Sequence, residues 1–286
     1  MTAREGIVIR SGHSAGLAPA FRDPLRRGAA RTIAFDQSPG GDALARTVLK
    51  LRSLWGRSSY SKFVIVGIAR TGSTLLVDLL AAHGQAIAFG ELFRTDAAIG
   101  WDVRPFASDT DKRKLALYRR DPVEFLHTAV FRRWPSDIGA VGFKLFYYHA
   151  RSHPFTGVWT FLRDDPSIRI IHAKRRNVLA QYLSLQLAHR TDVWSSRQEP
   201  ASETPAIRLD PEACRRHFEQ VRRYESETVE TFRHHPVVDV FYEDLAGDRD
   251  KTLGEVQTFL GLERRPTAPT LVRQRRVPLS RAIENF

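Results

Sequence analysis

Lys62-Phe63-Val64-Ile65-Val66-Gly67-Ile68-Ala69-Arg70-Thr71-Gly72-Ser73-Thr74 is the stretch on which the fold turns. A short apolar run ends in Gly67, as a buried parallel strand does. Beyond Gly72 the pattern changes period. Leu75, Leu76, Leu79 and Leu80 recur at helical spacing and predict a helix over residues 73–83, with Gly84 placed to end it. Strand, glycine-bounded turn and helix are the context of a phosphate loop. Such a turn aims successive backbone N–H groups at an anion, and the helix dipole adds to the attraction. Ser73 and Thr74 contribute hydroxyls and Arg70 a full positive charge. The spacing is that of Gly-x4-Gly-Lys-Ser/Thr, but Ser73 stands where the lysine is expected. That lysine reaches the β- and γ-phosphates of a nucleoside triphosphate, so its absence argues against triphosphate hydrolysis and for a shorter anion. An ordinary strand-to-helix turn with a serine cap would share the same outline.

Working outward, strands and helices alternate. Further strands are predicted over residues 141–148, 168–173 and 237–242. Helices are predicted over residues 43–55, 177–189, 211–234 and 251–260. Residues 96–135 are polar, basic and helical in pattern, with Leu115, Leu117, Phe125 and Leu126 as anchors. Residues 190–210 read as a surface loop and residues 1–40, rich in Gly, Ala, Arg and Pro, as a flexible arm. The alternation predicts an α/β fold, a P-loop-type parallel sheet with helices on both faces, in one domain over residues 41–286. Ligands of such sheets bind at the carboxyl ends of the strands.

The 286 residues carry a formal net charge of +12, mostly as arginine, which suits phosphate- and sulfate-bearing partners. The single cysteine, Cys214, allows no intrachain disulfide and no Cys-rich metal cage, and reads as a packing residue. Neither a signal peptide nor a run of about 18 apolar residues is visible, so a cytoplasmic chain without a transmembrane segment is expected.

Arg70-Thr71-Gly72-Ser73-Thr74 resembles the 5′-phosphosulfate loop of sulfotransferases that use PAPS (3′-phosphoadenosine-5′-phosphosulfate). Three further segments agree in order. Ile170 to Asn177, followed by Ser184, is similar to the family's 3′-phosphate site, with Arg176 and Ser184 at its spacing. An arginine at a strand end and a serine two turns into the next helix can grip one phosphate from two sides. Tyr242-Glu243-Asp244-Leu245 and Phe259-Leu260-Gly261-Leu262 resemble the family's late strand and helix. Glu243 and Asp244 read as strand-end and cap residues, or as an acidic group for Mg²⁺, which nothing else in the sequence requires. Arg273-Gln274, with Pro278-Leu279-Ser280 and Ile283-Glu284-Asn285-Phe286, is similar to the tail that closes over the nucleotide in bacterial carbohydrate sulfotransferases, the trehalose and Nod-factor group. The resemblance spans about residues 60–286. It implies PAPS as donor, PAP as product, no metal, and a carbohydrate or glycolipid-like acceptor. Oligomeric state stays open, a homo-oligomer included.

Within the resemblance, Glu91 of Gly90-Glu91 occupies the place of the catalytic base. A solvated loop carboxylate is the plainer reading of that pair. Lys144 sits inside the apolar run Val141-Gly142-Phe143-Lys144-Leu145-Phe146. A buried unpaired ammonium is costly, so either a nearby anion accounts for it or an edge strand lets it reach solvent. His149 is a rival base. Two other functions compete: a P-loop kinase or NTPase, and a basic nucleic-acid-binding protein. The first wants a lysine at Ser73. The second wants aromatic platforms beside basic stripes, whereas Phe143, Phe146, Tyr147 and Tyr148 are better placed for core and acceptor pocket. No nucleic acid partner is therefore expected.

Overall fold

The computed structural model describes residues 9–10, 41–94, 99, 112–194, 206–268 and 278–286. Its sheet has six strands: β1 (Ile9–Arg10), β2 (Ser61–Gly67), β3 (Ala86–Glu91), β4 (Ala140–Phe146), β5 (Arg169–Lys174) and β6 (Val237–Phe241). Their order is β1-β6-β5-β2-β4-β3. The five longer strands are parallel; β1, inside the segment read as an arm, adds antiparallel to β6. Ten α-helices are described: α1 (Gly41–Leu54), α2 (Ser73–Ala81), α3 (Lys112–Arg120), α4 (Pro122–Phe125), α5 (Gly157–Asp164), α6 (Val178–Thr191), α7 (Pro211–Thr231), α8 (Tyr242–Gly247), α9 (Arg249–Phe259) and α10 (Leu279–Ala282). A π-helical turn, Leu126–Val130, follows α4.

Both faces of the sheet are covered, which explains why its strands are apolar throughout instead of alternating. On one face Val64, Val66, Phe89, Phe143 and Leu145 pack with α3, α4, α5 and α7 through Tyr118, Phe125, Val158, Leu162 and Val221. On the other, Phe63, Ile65, Ile171 and Val240 pack with α2 and α9 through Leu76, Leu80, Leu253 and Val256. A smaller cluster joins α6, α7 and the tail through Leu183, Cys214 and Ile283. Cys214 is buried there as a packing residue, and burial raises its thiol pKa.

The chain runs from β2 outward to β3, returns to β4, then crosses to β5 on the other side of β2. That reversal puts the C-terminal ends of β2, β4 and β5 together, where open α/β sheets bind ligands. Two strand readings change. Gly90 and Glu91 belong to the end of β3, not to a loop. Lys144 lies on β4 between β2 and β3, so the edge-strand reading fails.

Candidate active site

The phosphate loop joins β2 to α2. Thr71 is buried and its hydroxyl donates to the Ile68 carbonyl at 2.8 Å, tying the loop to itself. Arg70 and Gly72 both take positive φ, 70° and 77°. At Gly72 a Cβ would lie 2.8 Å from Cδ2 of Tyr242, so the close approach of α8 as well as the backbone conformation requires glycine. Gly72 is also the N-cap of α2 and brings no capping side chain. The first N–H groups of α2, beginning at buried Ser73, are thereby left for an anion.

Arg70 donates through Nε to Ser184 Oγ at 2.9 Å and through Nη1 to the Trp194 carbonyl. Burial lowers its pKa, and the Tyr242 hydroxyl opposes that shift. Gln181, one turn before Ser184, donates to the Ala69 carbonyl at 2.6 Å. The face of α6 bearing Gln181 and Ser184 is thus fastened to the loop. Arg175 braces the same loop, donating to the Arg70 carbonyl at 3.1 Å with its guanidinium over the Tyr242 ring.

Arg176 lies elsewhere in the cluster. It forks onto Asp244 at 2.6 and 2.9 Å and rests 4.1 Å from the centre of the Phe241 ring. The Glu243 carboxylate accepts the backbone N–H groups of Arg176 and Asn177 at 3.0 and 3.1 Å. The acidic pair therefore holds the turn after β5, a role that spacing alone did not reveal. β5 ends at Lys174, so strand alternation does not continue to Arg176. Arg273 and Gln274 fall outside the described residues. A groove of about 520 Å³ runs beside Arg176, lined also by Asn177, Val178, Leu179, Phe218 and Arg222. Leu179 projects from a different side of α6 than Gln181 and Ser184, whereas Val178 lies one turn before Gln181, so this groove borders the loop.

Two of the candidate residues, Glu91 and Lys144, meet across β3 and β4. Phe89 pairs with Phe143, but Glu91, not Gly90, pairs with Lys144. The extra residue is a bulge at Gly90. In an uninterrupted ladder Glu91 would stand opposite Leu145, on the other face of the sheet. Lys144 Nζ lies 2.8 Å from Glu91 Oε1 and donates to Thr74 Oγ1, also at 2.8 Å. The lysine side chain is 3% exposed and the glutamate 23%. A buried ammonium needs both a charge partner and hydrogen bonds, and Glu91 and Thr74 supply them. His149 is buried, with Nε2 3.8 Å from Glu91 Oε2. Tyr148 stands close by. Burial raises its pKa first, then the charge of Glu91 and the neighbouring Tyr224, while Arg94 opposes. Phe146 and Tyr147 are buried core residues, and Tyr147 stacks on Tyr224 at 5.2 Å.

The structure thus brings Arg70, Thr71, Gly72, Ser73, Thr74, Glu91, Lys144, His149 and Ser184 around the ends of β2, β3 and β4, with Arg176 beside them on Asp244. The link through Thr74 and the bracing by Arg175 were not read from the sequence. The glycine inside the Ala86–Glu91 run was the available sign of the bulge.

A family model described as "Sulfotransferase family" matches residues 62–266, a span that holds all these residues. Nodulation protein H of Rhizobium meliloti (strain 1021) is 26% identical over 231 residues, covering 78% of this chain and 87% of its own. Nodulation protein H of Rhizobium tropici is 26% identical over 228 residues, covering 78% and 86%. A solved sulfotransferase from Alicyclobacillus acidocaldarius aligns at TM-score 0.45 and 16% identity, covering 74% of this chain and 85% of that one.

Proposed function

The chain belongs to the sulfotransferase family, and from that membership we propose that it moves a sulfuryl group from PAPS to a hydroxyl of a carbohydrate or glycolipid-like acceptor, with Glu91 as general base. The observation that carries this reading is the chain Glu91–Lys144–Thr74, which joins a carboxylate to the phosphate loop through one buried ammonium. In-line transfer needs a base on the acceptor side and positive charge where the sulfuryl oxygens lie. Glu91 and Lys144 offer both within one contact.

In the proposed reaction Glu91 takes the proton of the acceptor hydroxyl as its oxygen bonds to sulfur. The bond from sulfur to the donor phosphate breaks, and PAP leaves with the electron pair. Arg70, Ser73, Thr74 and the N–H groups opening α2 hold the phosphosulfate end. Lys144 faces the charge on the sulfuryl oxygens. Arg176 and Ser184 take the 3′-phosphate, with Arg273 and Gln274 closing over the nucleotide as the family resemblance implies. Arg176 would have to exchange Asp244 for that phosphate, one charge-assisted fork for another. No metal is assigned a part. Glu243 and Asp244 are engaged with the backbone of residues 176–177 and with Arg176.

The carbohydrate reading of the acceptor draws on the family resemblance and on the aromatic side chain of Tyr148 near Glu91, with Tyr224 beside Tyr148. Titration calorimetry tests the donor. PAP should bind with EDTA present, and ATP with Mg²⁺ should not displace it. ATP binding that requires Mg²⁺, with none for PAP, would put the chain among nucleotide kinases in chemistry.

A further inference from the structure

His149 closes a tight turn after β4. Its backbone N–H donates to the Phe146 carbonyl at 2.9 Å, and the Phe146 N–H donates back to its Nδ1 at 3.3 Å. A ring nitrogen that accepts an N–H carries no proton of its own, so the neutral ring holds its proton on Nε2. The ring cannot turn freely. It lies 5.0 Å from the Phe146 ring and 4.9 Å, edge to face, from Tyr148, and its side chain is 3% exposed. The His149 carbonyl is fixed in turn by the indole N–H of Trp159 at 2.8 Å. Nε2 faces Oε2 of Glu91 at 3.8 Å, while Lys144 takes Oε1.

This arrangement opposes the reading of His149 as the base. To accept a proton at Nε2 the ring would need its own proton on Nδ1, where it would meet the Phe146 N–H donor to donor. We infer that His149 is a positioning residue for Glu91: a neutral imidazole whose Nε2–H faces Oε2 and holds the carboxylate aimed at the acceptor. The inference rests on Glu91 being the base. The two carboxylate oxygens then have separate partners. Lys144 also donates to Thr74, so it is shared between Glu91 and the phosphate loop, whereas the His149 ring faces the second carboxylate oxygen. The 3.8 Å separation is longer than a hydrogen bond, in keeping with catalytic contacts that tighten only when substrate is bound. Among the described residues, the charged and titratable groups beside Glu91 include Lys144 from β4 and Tyr148 and His149 from the turn, with Arg94 close to Tyr148.

The test compares wild type with His149→Gln, His149→Phe and Glu91→Gln, and reads the pH profile of kcat/KM for the acceptor together with PAP affinity. Gln places an amide donor near Nε2, and Phe keeps the ring shape without one. His149→Phe should move the acidic limb to higher pH, because it removes an N–H that faces the charged form of the acid. PAP affinity should hold, and His149→Gln should bring the limb back. A limb that stays in place in His149→Phe overturns the inference, as does a His149→Gln enzyme without turnover. Full turnover in Glu91→Gln instead removes the base reading itself, a separate result. Should His149→Phe not fold, ¹⁵N chemical shifts of labelled wild-type histidine decide. A pyridine-type Nδ1 and a protonated Nε2 are expected; the opposite tautomer overturns the inference.

Discussion

Glu91 owes its place to its neighbour. The bulge at Gly90 turns it to the face of Lys144, and Lys144 in turn reaches Thr74. The sequence offered the residue types and, through a family resemblance, their roles. It did not offer the contact, because pairing between β3 and β4 joins positions more than fifty apart in the chain. Lys144→Met keeps the length of the side chain and removes its charge. It should lower turnover about 10²-fold, the scale for losing one donor aimed at developing negative charge, as measured by steady-state kinetics. Arg176 makes a second residue-scale test. Arg176→Ala should weaken PAP binding by about 2 kcal/mol, the scale of one charge-assisted pair, and Ser184→Ala by less. Calorimetry showing PAP bound by Arg176→Ala as by wild type would remove Arg176 from the site.

At the scale of elements, β2 and α2 were legible because the change of period from strand to helix is local. β3 was not. Ala86, Ala88 and Gly90 are small, and a strand covered on both faces shows no alternation. α5 was missed for a related reason: its eight residues are too few to show a repeated apolar face. The loop between β2 and α2 gives the sharpest prediction at this scale. Gly72→Ala sets a methyl group against Tyr242 and demands positive φ of a residue that disfavours it. It should cost about 1–3 kcal/mol of stability and weaken PAP binding, measured by thermal melting and calorimetry on the same preparation. Adding Tyr242→Ala should recover the part due to the clash but not the part due to φ.

Over the whole molecule, one buried polar network joins β5 and β6 to the turn after β4, where Tyr147 stacks on Tyr224 of α7. Asp239 on β6 lies 3.0 Å from Lys174 Nζ and 3.4 Å from His172 Nδ1 on β5. His172 Nε2 lies 2.7 Å from the Tyr147 hydroxyl just past β4. Burial alone would raise the pKa of Asp239, but the hydrogen bond from His172 and the charge of Lys174 outweigh it and bring it to about 2. A depressed carboxyl pKa stabilises the fold above the unfolded value of 3.8 and loses that contribution as pH falls through the folded value. Chemical unfolding should therefore show about 2 kcal/mol of stability lost between pH 4 and pH 2, and Asp239→Asn should flatten that segment. At neutral pH the same substitution should cost about 3 kcal/mol, because it removes the carboxylate in contact with buried Lys174 and leaves it only the charge of Glu225. None of this network was legible beforehand. It joins positions far apart in the chain, on β5 and β6, whose pairing a sequence pattern does not show.

The central claim is sulfuryl transfer with Glu91 as base, and it reduces to one mass-spectrometric measurement. Wild type and Glu91→Gln are each incubated with PAPS and a panel of neutral oligosaccharides and glycolipids, in EDTA, with release of PAP followed in parallel. Wild type should add the mass of one sulfuryl group to an acceptor, with one PAP formed per product. Glu91→Gln, binding PAP as tightly as wild type, should form that product roughly 10²–10⁴ times more slowly, the usual worth of a general base. Product formed by Glu91→Gln at the wild-type rate would contradict the account at its base. An absence of sulfated product from every acceptor, with PAPS bound and intact, would contradict the proposed acceptor class.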